Sequence, residues 1–148
     1  MRSLPSMTLA VLCTFALACS TPMRAPEVTI GNEAEATVAQ VYFWRARPGL
    51  VAEYNRYIRE VAEPIDREAQ RAGGFISVTT YETRDTTLAW THMRVFLLRD
   101  SAQLRGLSAA LSAAGARLQP DSALRRQQGE YSATLRDRVG STVTQIVK

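Results

Sequence analysis

The hydrophobic pattern along this chain switches between a period of two, typical of strands, and a period near 3.6, typical of helices. Residues 37–46 (TVAQVYFWRA) are rich in β-branched and aromatic side chains, which predicts a strand. Val41 and Phe43 point to one face of that strand. Tyr42 and Trp44 point to the other, so both faces are apolar. A strand of this kind is expected in a sheet that is covered on both sides.

A turn at residues 47–49 (RPG) separates this strand from a long helical pattern. Apolar residues recur at three- and four-residue intervals from 50 to 72, which predicts one amphipathic helix. Pro64 lies inside it and is expected to kink it, because proline removes one backbone hydrogen bond. Gly73 and Gly74 are expected to end the helix, since glycine adopts the left-handed cap conformation without strain.

The second half of the chain continues the alternation of strands and helices. The predicted elements are strands at 75–83 and 88–98, helices at 101–118 and 122–139, and a strand at 141–147. The short link between the first two of these strands implies an antiparallel hairpin. Asp100 and Gln103 have the spacing of a capping box, which predicts where the helix at 101–118 begins.

This order of elements predicts an α+β fold, the split βαβ sandwich of ferredoxin-like domains with an antiparallel sheet. Helices cover only one face of such a sheet. Because the other face also carries large apolar groups, it needs a second cover. A second copy of the same sheet is the simplest one, and the chain is therefore expected to form a homodimer.

Three short segments resemble the dimeric α+β barrel superfamily: the strand at 41–44 (VYFW), the turn at 47–49 (RPG) and the helix opening at 53–57 (EYNRY). The resemblance implies a homodimer whose two sheets pack face to face as a barrel. It also implies a ligand or active-site cavity between the sheet and the helices. Members include cofactor-independent monooxygenases, haem-handling enzymes and proteins without known activity, so the resemblance implies a fold and no particular reaction.

The first nineteen residues have the pattern of an export signal. Arg2 gives a positive start, and residues 7–18 (MTLAVLCTFALA) form an apolar run that is too short to span a bilayer. The Ala-x-Ala at 16–18 is a secretory cleavage site, and with Cys19 behind it the segment also resembles the lipobox of bacterial lipoproteins. Two interpretations stay open: a lipoprotein anchored through Cys19, and a soluble secreted protein.

Cysteine usage favours the lipoprotein. The chain has two cysteines, and Cys13 lies inside the segment that would be removed, so the mature protein would keep Cys19 alone. Lipidation would convert that lone thiol into a membrane anchor. In a cell with two membranes, the resemblance to lipoproteins implies sorting to the outer membrane, facing the periplasm, because Ser20 rather than Asp follows the cysteine. The predicted organisation is a signal peptide at 1–18, a lipidated cysteine and flexible tether at 19–36, and one domain at 37–148.

The chain is basic, with 18 Lys and Arg against 14 Asp and Glu and a formal net charge of +4. A basic face attracts anionic lipids, anionic ligands or nucleic acid. Export makes nucleic acid an unsuitable partner. Most of this charge is expected to be an ordinary solvated surface.

The candidate chemistry centres on His92, the chain's one histidine. Period-two alternation places it on one face of its predicted strand with Trp90 and Arg94. An imidazole can act as a general base and a guanidinium can steer an oxyanion, so His92 and Arg94 are the candidate catalytic pair. The residues expected to complete a pocket for a small hydrophobic or aromatic ligand are Tyr42, Trp44, Tyr81 and Trp90. The alternative is that these side chains only pack, with their hydrogen bonds satisfied.

No metal or cofactor is expected, because one histidine and scattered carboxylates do not give ligand spacing. Glu60, Glu63 and Asp66 are expected to form surface ion pairs with neighbouring arginines. The interpretation we favour is a membrane-tethered domain that binds a small ligand or acts as an interaction module. The alternatives are a cofactor-independent, monooxygenase-like enzyme acting on an aromatic substrate and a purely structural envelope lipoprotein.

Overall fold

The computed structural model describes residues 32–147. The predicted signal peptide, Cys19 and most of the predicted tether lie outside the described residues. The last part of that tether is folded: Glu33–Glu35 form a 3₁₀ turn that the Asn32 side chain caps, and Ala36 is buried. The folded domain therefore begins a few residues before position 37.

The domain consists of one antiparallel sheet and the helices that pack on it. Its elements are β1 (Val38–Ala46), α1 (Val51–Tyr57), a π turn (Ile58–Ala62), α2 (Glu63–Arg71), β2 (Ser77–Glu82), β3 (His92–Leu98), α3 (Ser101–Leu118), α4 (Ser122–Leu135) and β4 (Arg136–Gln145). The strand order is β2-β3-β1-β4, with each neighbouring pair antiparallel. This is the predicted ferredoxin-like split βαβ arrangement, and the fold class is confirmed.

The long first helix contains a π turn where a proline kink was expected. Pro64 lies in the first turn of α2, directly after the π turn Ile58–Ala62. Just before the proline, the Glu63 N–H bonds to the Ile58 carbonyl five residues back, so the hydrogen-bond ladder changes register next to the position where proline lacks its N–H. The change of register in the π turn therefore accommodates the proline. Gly73 ends the helix with φ of 77°, as the sequence predicts.

The last helix and the last strand meet earlier than predicted. The sequence favours a helix up to residue 139 and a strand from 141, whereas α4 ends at Leu135 and β4 begins at Arg136. β4 is an edge strand and is largely exposed, so its first residues lack the apolar alternation that identifies a half-buried strand. Pairing with β1 determines its conformation instead.

The core lies between the helices and one face of the sheet, the helix face. One cluster joins Val38, Phe96 and Leu98 of the strands to Ala69 of α2 and Leu107 of α3. A second cluster packs Trp44 and Ala46 of β1 against Tyr54 and Ile58 of the first helix and Leu135 of α4. The opposite face, the far face, contributes to neither cluster; its apolar residues are Ala39, Val41, Phe43, Met93, Val95 and Leu97.

Within residues 32–147, no helix combines the length and the hydropathy that crossing a bilayer would require.

Candidate functional site

The sheet register brings four of the predicted site residues together. Trp44 lies opposite His92 and Tyr42 lies opposite Arg94 across the β1–β3 pair. Directly opposite residues share a face in an antiparallel pair, so all four side chains lie on the helix face. A polar and aromatic layer therefore stands between the sheet and α1, α2 and α4.

The structure does not bring Trp90 and Tyr81 to that face, and this part of the predicted pocket is wrong. Trp90 packs against Phe43 of the far face, with ring centres 5.7 Å apart. The Ala46 N–H donates to the Thr91 hydroxyl at 2.7 Å. In a regular β1–β3 ladder, a backbone carbonyl would accept this hydrogen bond. The strand therefore begins at His92, and its alternation does not extend back to Trp90.

Tyr81 is excluded by the register of the β2–β3 hairpin. It lies opposite Met93, which is a far-face residue, and 49% of its surface is exposed. The sequence predicts the hairpin but not its register, because the connecting segment has no turn motif that determines the pairing.

His92 is fully buried, and both of its ring nitrogens have partners inside the fold. Nδ1 lies 2.8 Å from Oγ1 of Thr91, and Nε2 lies 2.9 Å from Oδ1 of Asn55. The Asn55 amide in turn donates from Nδ2 to Oε2 of Glu82 at 2.8 Å. The Tyr54 and His92 rings pack edge-to-face, with ring centres 4.6 Å apart.

This chain of hydrogen bonds determines the tautomer of His92. The Glu82 carboxylate only accepts, so the Asn55 NH₂ group faces Glu82 and the Asn55 oxygen faces His92. Nε2 of His92 must therefore be the protonated ring nitrogen, and its N–H donates a hydrogen bond to Oδ1 of Asn55. Nδ1 then accepts from the Thr91 hydroxyl.

Burial lowers the pKa of His92, although the negative charge of Glu82 acts in the opposite direction. A neutral imidazole thus connects α1, β2 and β3. Catalysis by His92 as a general base remains a prediction.

Arg94 forms a largely buried ion pair with Asp66 of α2. Its Nη2 donates to the Asp66 carboxylate and its Nε donates to Oγ1 of Thr80 at 3.3 Å. The Arg94 and Asp66 side chains are only 13% and 6% exposed. Burial raises the pKa of Asp66, against the lowering effect of the Arg94 charge. Arg94 is on the predicted face, and its charge is already compensated.

The prediction of a surface pair for Asp66 is wrong. Asp66 comes eight residues after Ile58 and three before Ala69, both of which are buried on the same helical rod. That spacing places the carboxylate on the apolar stripe, which would have indicated its burial from the sequence.

Arg136, which the sequence analysis does not single out, is the cationic centre of the layer. Its guanidinium carbon lies 3.5 Å from the centre of the Trp44 ring and 5.3 Å from that of the Tyr54 ring. Nε donates to Oγ of Ser132 at 3.0 Å, and Nη1 donates to the Tyr54 hydroxyl at 3.2 Å. No carboxylate of the described residues lies within ion-pair distance of this half-buried group. Burial lowers the pKa of Arg136 and raises that of Tyr54.

Arg138 provides a second cation beside the first. Its guanidinium carbon lies 5.0 Å from the centre of the Tyr42 ring and 5.9 Å from that of the Trp44 ring, and Nη2 donates to Oγ of Ser141 at 2.9 Å. Arg136 and Arg138 alternate along β4 and therefore share a face. The sequence predicts a helix up to residue 139, and in a helix Arg136 and Arg138 would not share a face.

A cleft of about 400 Å³ opens between α4 and the start of β4, directly over this pair of arginines. Gly129, Ser132 and Ala133 line it on the α4 side, and the sheet side is lined by Trp44, Arg136, Arg138, Arg47 and Asp137. Arg47 and Asp137 form an exposed ion pair with each other at 3.1 Å, so the one carboxylate of the lining is already matched by a cation. Besides this ion pair, the cleft joins an aromatic ring to two guanidinium groups, those of Arg136 and Arg138, that have no carboxylate partner among the described residues. Within residues 32–147, no cluster of three histidine, cysteine or acidic side chains has the proximity that a metal site needs.

Comparisons with known proteins show the fold and no more specific relationship. The chain is similar in structure to HapK from Hahella chejuensis, with a TM-score of 0.53 and 8% sequence identity over 74% of this chain and 92% of that one. This likeness shows a shared α+β fold.

Weaker likenesses extend to two other bacterial proteins. One is a conserved protein of unknown function from Bacteroides thetaiotaomicron VPI-5482, described as a possible oxidoreductase (TM-score 0.47, 13% identity, 76% of this chain and 99% of that one). The other is PA3566 from Pseudomonas aeruginosa (TM-score 0.42, 18% identity, 76% and 94%). No protein-family model and no curated protein matches the sequence.

Proposed function

We propose that this domain binds a small anionic ligand with a flat, aromatic body in the cleft between α4 and β4. The observation that carries the proposal is the half-buried guanidinium of Arg136, which stacks on Trp44 and has no carboxylate partner among residues 32–147. Two of its five N–H donors are used by Ser132 and Tyr54, so three remain for a ligand.

The physical basis is the unfavourable free energy of an uncompensated charge away from water. A desolvated cation without a counterion destabilises the site that contains it. Arg94, the other arginine buried in this layer, is neutralised by Asp66, whereas Arg136 is not. A ligand carboxylate or sulfonate would supply the missing charge and accept short, charge-assisted hydrogen bonds from Arg136. Arg138 would add a second positive charge at the rim, and the Trp44 ring would pack against the ligand's flat body.

The setting of the domain is part of the same proposal. The first nineteen residues support export, and Cys19 supports a lipid anchor that would hold the domain at a membrane surface. The apolar residues of the far face, which lie outside both core clusters, support a homodimer in which two sheets pair as a barrel. Binding in the cleft would then occur on the side of each sheet that the partner leaves free.

The proposal is tested by calorimetric titration of the purified protein with 2-naphthoate and with 2-naphthamide, its uncharged analogue. A hydrogen bond to a charged group contributes about 1.5–3 kcal/mol, so the acid is expected to bind roughly 10- to 100-fold more tightly than the amide. Arg136→Met should abolish that difference. Arg105→Met, at an exposed arginine of α3 outside the cleft, should preserve it.

Equal affinities of the acid and the amide for the unmodified protein would refute the anion site. So would an unchanged affinity for 2-naphthoate in Arg136→Met. Because the methionine keeps the length and apolar surface of the arginine stem, a loss of binding in that variant reports the charge.

A further inference from the structure

We propose that the ligand of this site is amphipathic, and that its apolar tail crosses α4 at Gly129 and lies in a second cleft between α4, α3 and the π turn. This inference rests on the proposed anion site and specifies the class of molecule that the site accepts. The class is an anion with an extended apolar chain behind its anionic head, and medium-chain carboxylates are the simplest probes of that chain.

The second cleft combines apolar side chains from four elements with the polar side chains of Ser112, Arg125 and Gln128. It has a volume of about 280 Å³ and is lined by Tyr57 before the π turn, Val61 within it, Ile65 of α2 and Leu111 of α3. Gly115 of α3 contributes bare backbone to the same wall, and a Cβ there would meet Ile65 at 3.8 Å. These surfaces lie beside the main core, where methylene groups of a ligand could be removed from water.

The cation that lines this second cleft is already used by the fold. Nη1 of Arg125 donates to the carbonyl oxygens of Gln119 and Pro120 at 2.7 and 2.8 Å. The guanidinium thus binds backbone carbonyls just beyond the C-terminus of α3. The two clefts differ in their walls: Arg136 stacks on the Trp44 ring in the first, whereas four apolar side chains line the second and its arginine is held by backbone carbonyls.

Gly129 is the residue that both clefts share. A Cβ at this position would have no atom within 4 Å, so α4 has an open notch between the two clefts. Glycine inside a helix is about 1 kcal/mol less favourable than alanine, which makes Gly129 an unfavourable choice for helix stability alone. We infer that glycine is needed here because any larger side chain would block the passage of a ligand chain across α4.

The packing of α4 is consistent with such a passage. The helix buries only Ser132 and Leu135, both in its last turn, where it joins β4. Its earlier turns lie over the two clefts and contact α1 through Tyr131, whose hydroxyl donates to Glu53 at 3.0 Å. A ligand can therefore lie across the middle of α4 without displacing a core residue.

The test is a calorimetric series of butanoate, hexanoate, octanoate and decanoate. It uses the full-length chain with Cys19→Ser, so that no attached acyl chain competes. Each buried methylene is expected to raise the affinity roughly three- to fourfold, and the affinity should rise along the whole series. Arg136→Met should weaken every member of the series by a similar factor, because all of them carry the same carboxylate.

The passage is tested with Gly129→Leu, which should fill the notch. Because Gly129 lines both clefts, the expected result is a difference between ligands: this variant should weaken decanoate binding at least tenfold more than butanoate binding. The matched control is Gly106→Leu, at an exposed glycine of α3 whose added Cβ also meets no atom within 4 Å and which lines neither cleft. Thermal melts of both variants verify that they are folded, and leucine is the better helix former at both positions.

Three outcomes would overturn the inference, and they are distinguishable. If affinity does not grow with chain length while 2-naphthoate still binds in an Arg136-dependent way, the tail is refuted and the anion site stands. If Gly129→Leu weakens butanoate and decanoate equally, the path across α4 is refuted. If neither the alkyl carboxylates nor 2-naphthoate bind, the anion site fails and this inference fails with it.

Discussion

The guanidinium of Arg136 stacks on the indole ring of Trp44, with its carbon 3.5 Å from the ring centre. The relationship follows from the early start of β4. Its first residue lies opposite Ala46 of β1, and Arg138 lies opposite Trp44, so the two arginines flank the tryptophan on the helix face. A cation in this position is attracted by the π-electrons of the ring, but a ring does not neutralise its charge.

We predict that Arg136→Met changes the free energy of unfolding by no more than about 1 kcal/mol. The variant loses two hydrogen bonds of about 1 kcal/mol each, and it also removes the desolvation of an unpaired cation, which acts in the opposite direction. Urea denaturation at pH 7.5 measures the difference. A destabilisation of 3 kcal/mol or more would show that Arg136 is chiefly a structural residue, and the argument for a missing anion would fail.

The burial of His92 predicts a pH-dependent stability with a defined sign. Burial lowers the folded-state pKa below the unfolded value of about 6.5, so below that pH the unfolded chain takes up a proton that the folded protein excludes. This group's contribution is complete above pH 7.5 and is lost as the pH falls through 6.5 towards the folded-state pKa. The limiting slope is about 1.4 kcal/mol per pH unit.

His92→Gln isolates this contribution, because glutamine is neutral throughout the range. Urea denaturation at pH 7.5 and 5.5 should show a larger loss of stability in the unmodified protein than in the variant. The unmodified protein must be compared with the variant because Asp66 also changes the stability with pH. Its pKa is raised in the folded state, so its contribution to the free energy of unfolding increases as the pH falls. Equal losses in both proteins would mean that His92 already binds a proton in the folded state.

The ion pair between Asp66 and Arg94 predicts a double-mutant result. Asp66→Leu leaves a buried guanidinium without its counterion and is expected to destabilise the fold by about 3–5 kcal/mol. Replacing both partners, with Asp66→Leu and Arg94→Met, removes both charges and should recover most of that loss. Chemical denaturation of the single and double variants measures the coupling, and additive losses would contradict a direct pairing.

The elements that bury one regular face were predictable from the sequence. The run of β-branched and aromatic residues identified β1, and Asp100 caps α3 as expected by accepting from Ala102 and Gln103 at 2.8 and 2.9 Å. In these segments, side-chain period and local hydrogen bonding specify the same structure. The split βαβ fold follows from their order.

The polar and aromatic layer was less predictable, because contacts between residues far apart in the sequence determine it. Trp90 was misplaced because the Thr91 hydroxyl interrupts the backbone ladder, and Arg136 was missed because an exposed edge strand has no apolar period to reveal it. Asn55 and Asp66 meet their partners only after the helix packs on the sheet. Local spacing indicates that Asp66 is buried, but it does not identify the partner that either side chain meets.

The proposed anchor predicts that Cys19→Ser releases the protein from the membrane fraction. Two or three acyl chains bind a membrane stably, whereas one chain binds only marginally and none gives no anchor. Fractionation of cells that express the full-length chain measures the release, and Cys13→Ser is the matched control, since that residue would be removed with the signal peptide. If the Cys19→Ser protein stays with the membrane, another feature holds it there.

The far face predicts a dimer that a single charge can break. Val95 lies opposite both Val41 and Thr79, in the middle of that face, so Val95→Glu would bury an unpaired carboxylate between two sheets. Sedimentation velocity should show a dimer for the unmodified protein and a folded monomer for the variant. Val143→Glu is the matched control, because Val143 lies opposite Gln40 on the helix face and is 49% exposed; it should remain dimeric. A monomer at every concentration of the unmodified protein would refute the paired barrel, whereas the cleft between α4 and β4, built within one chain, would be unaffected.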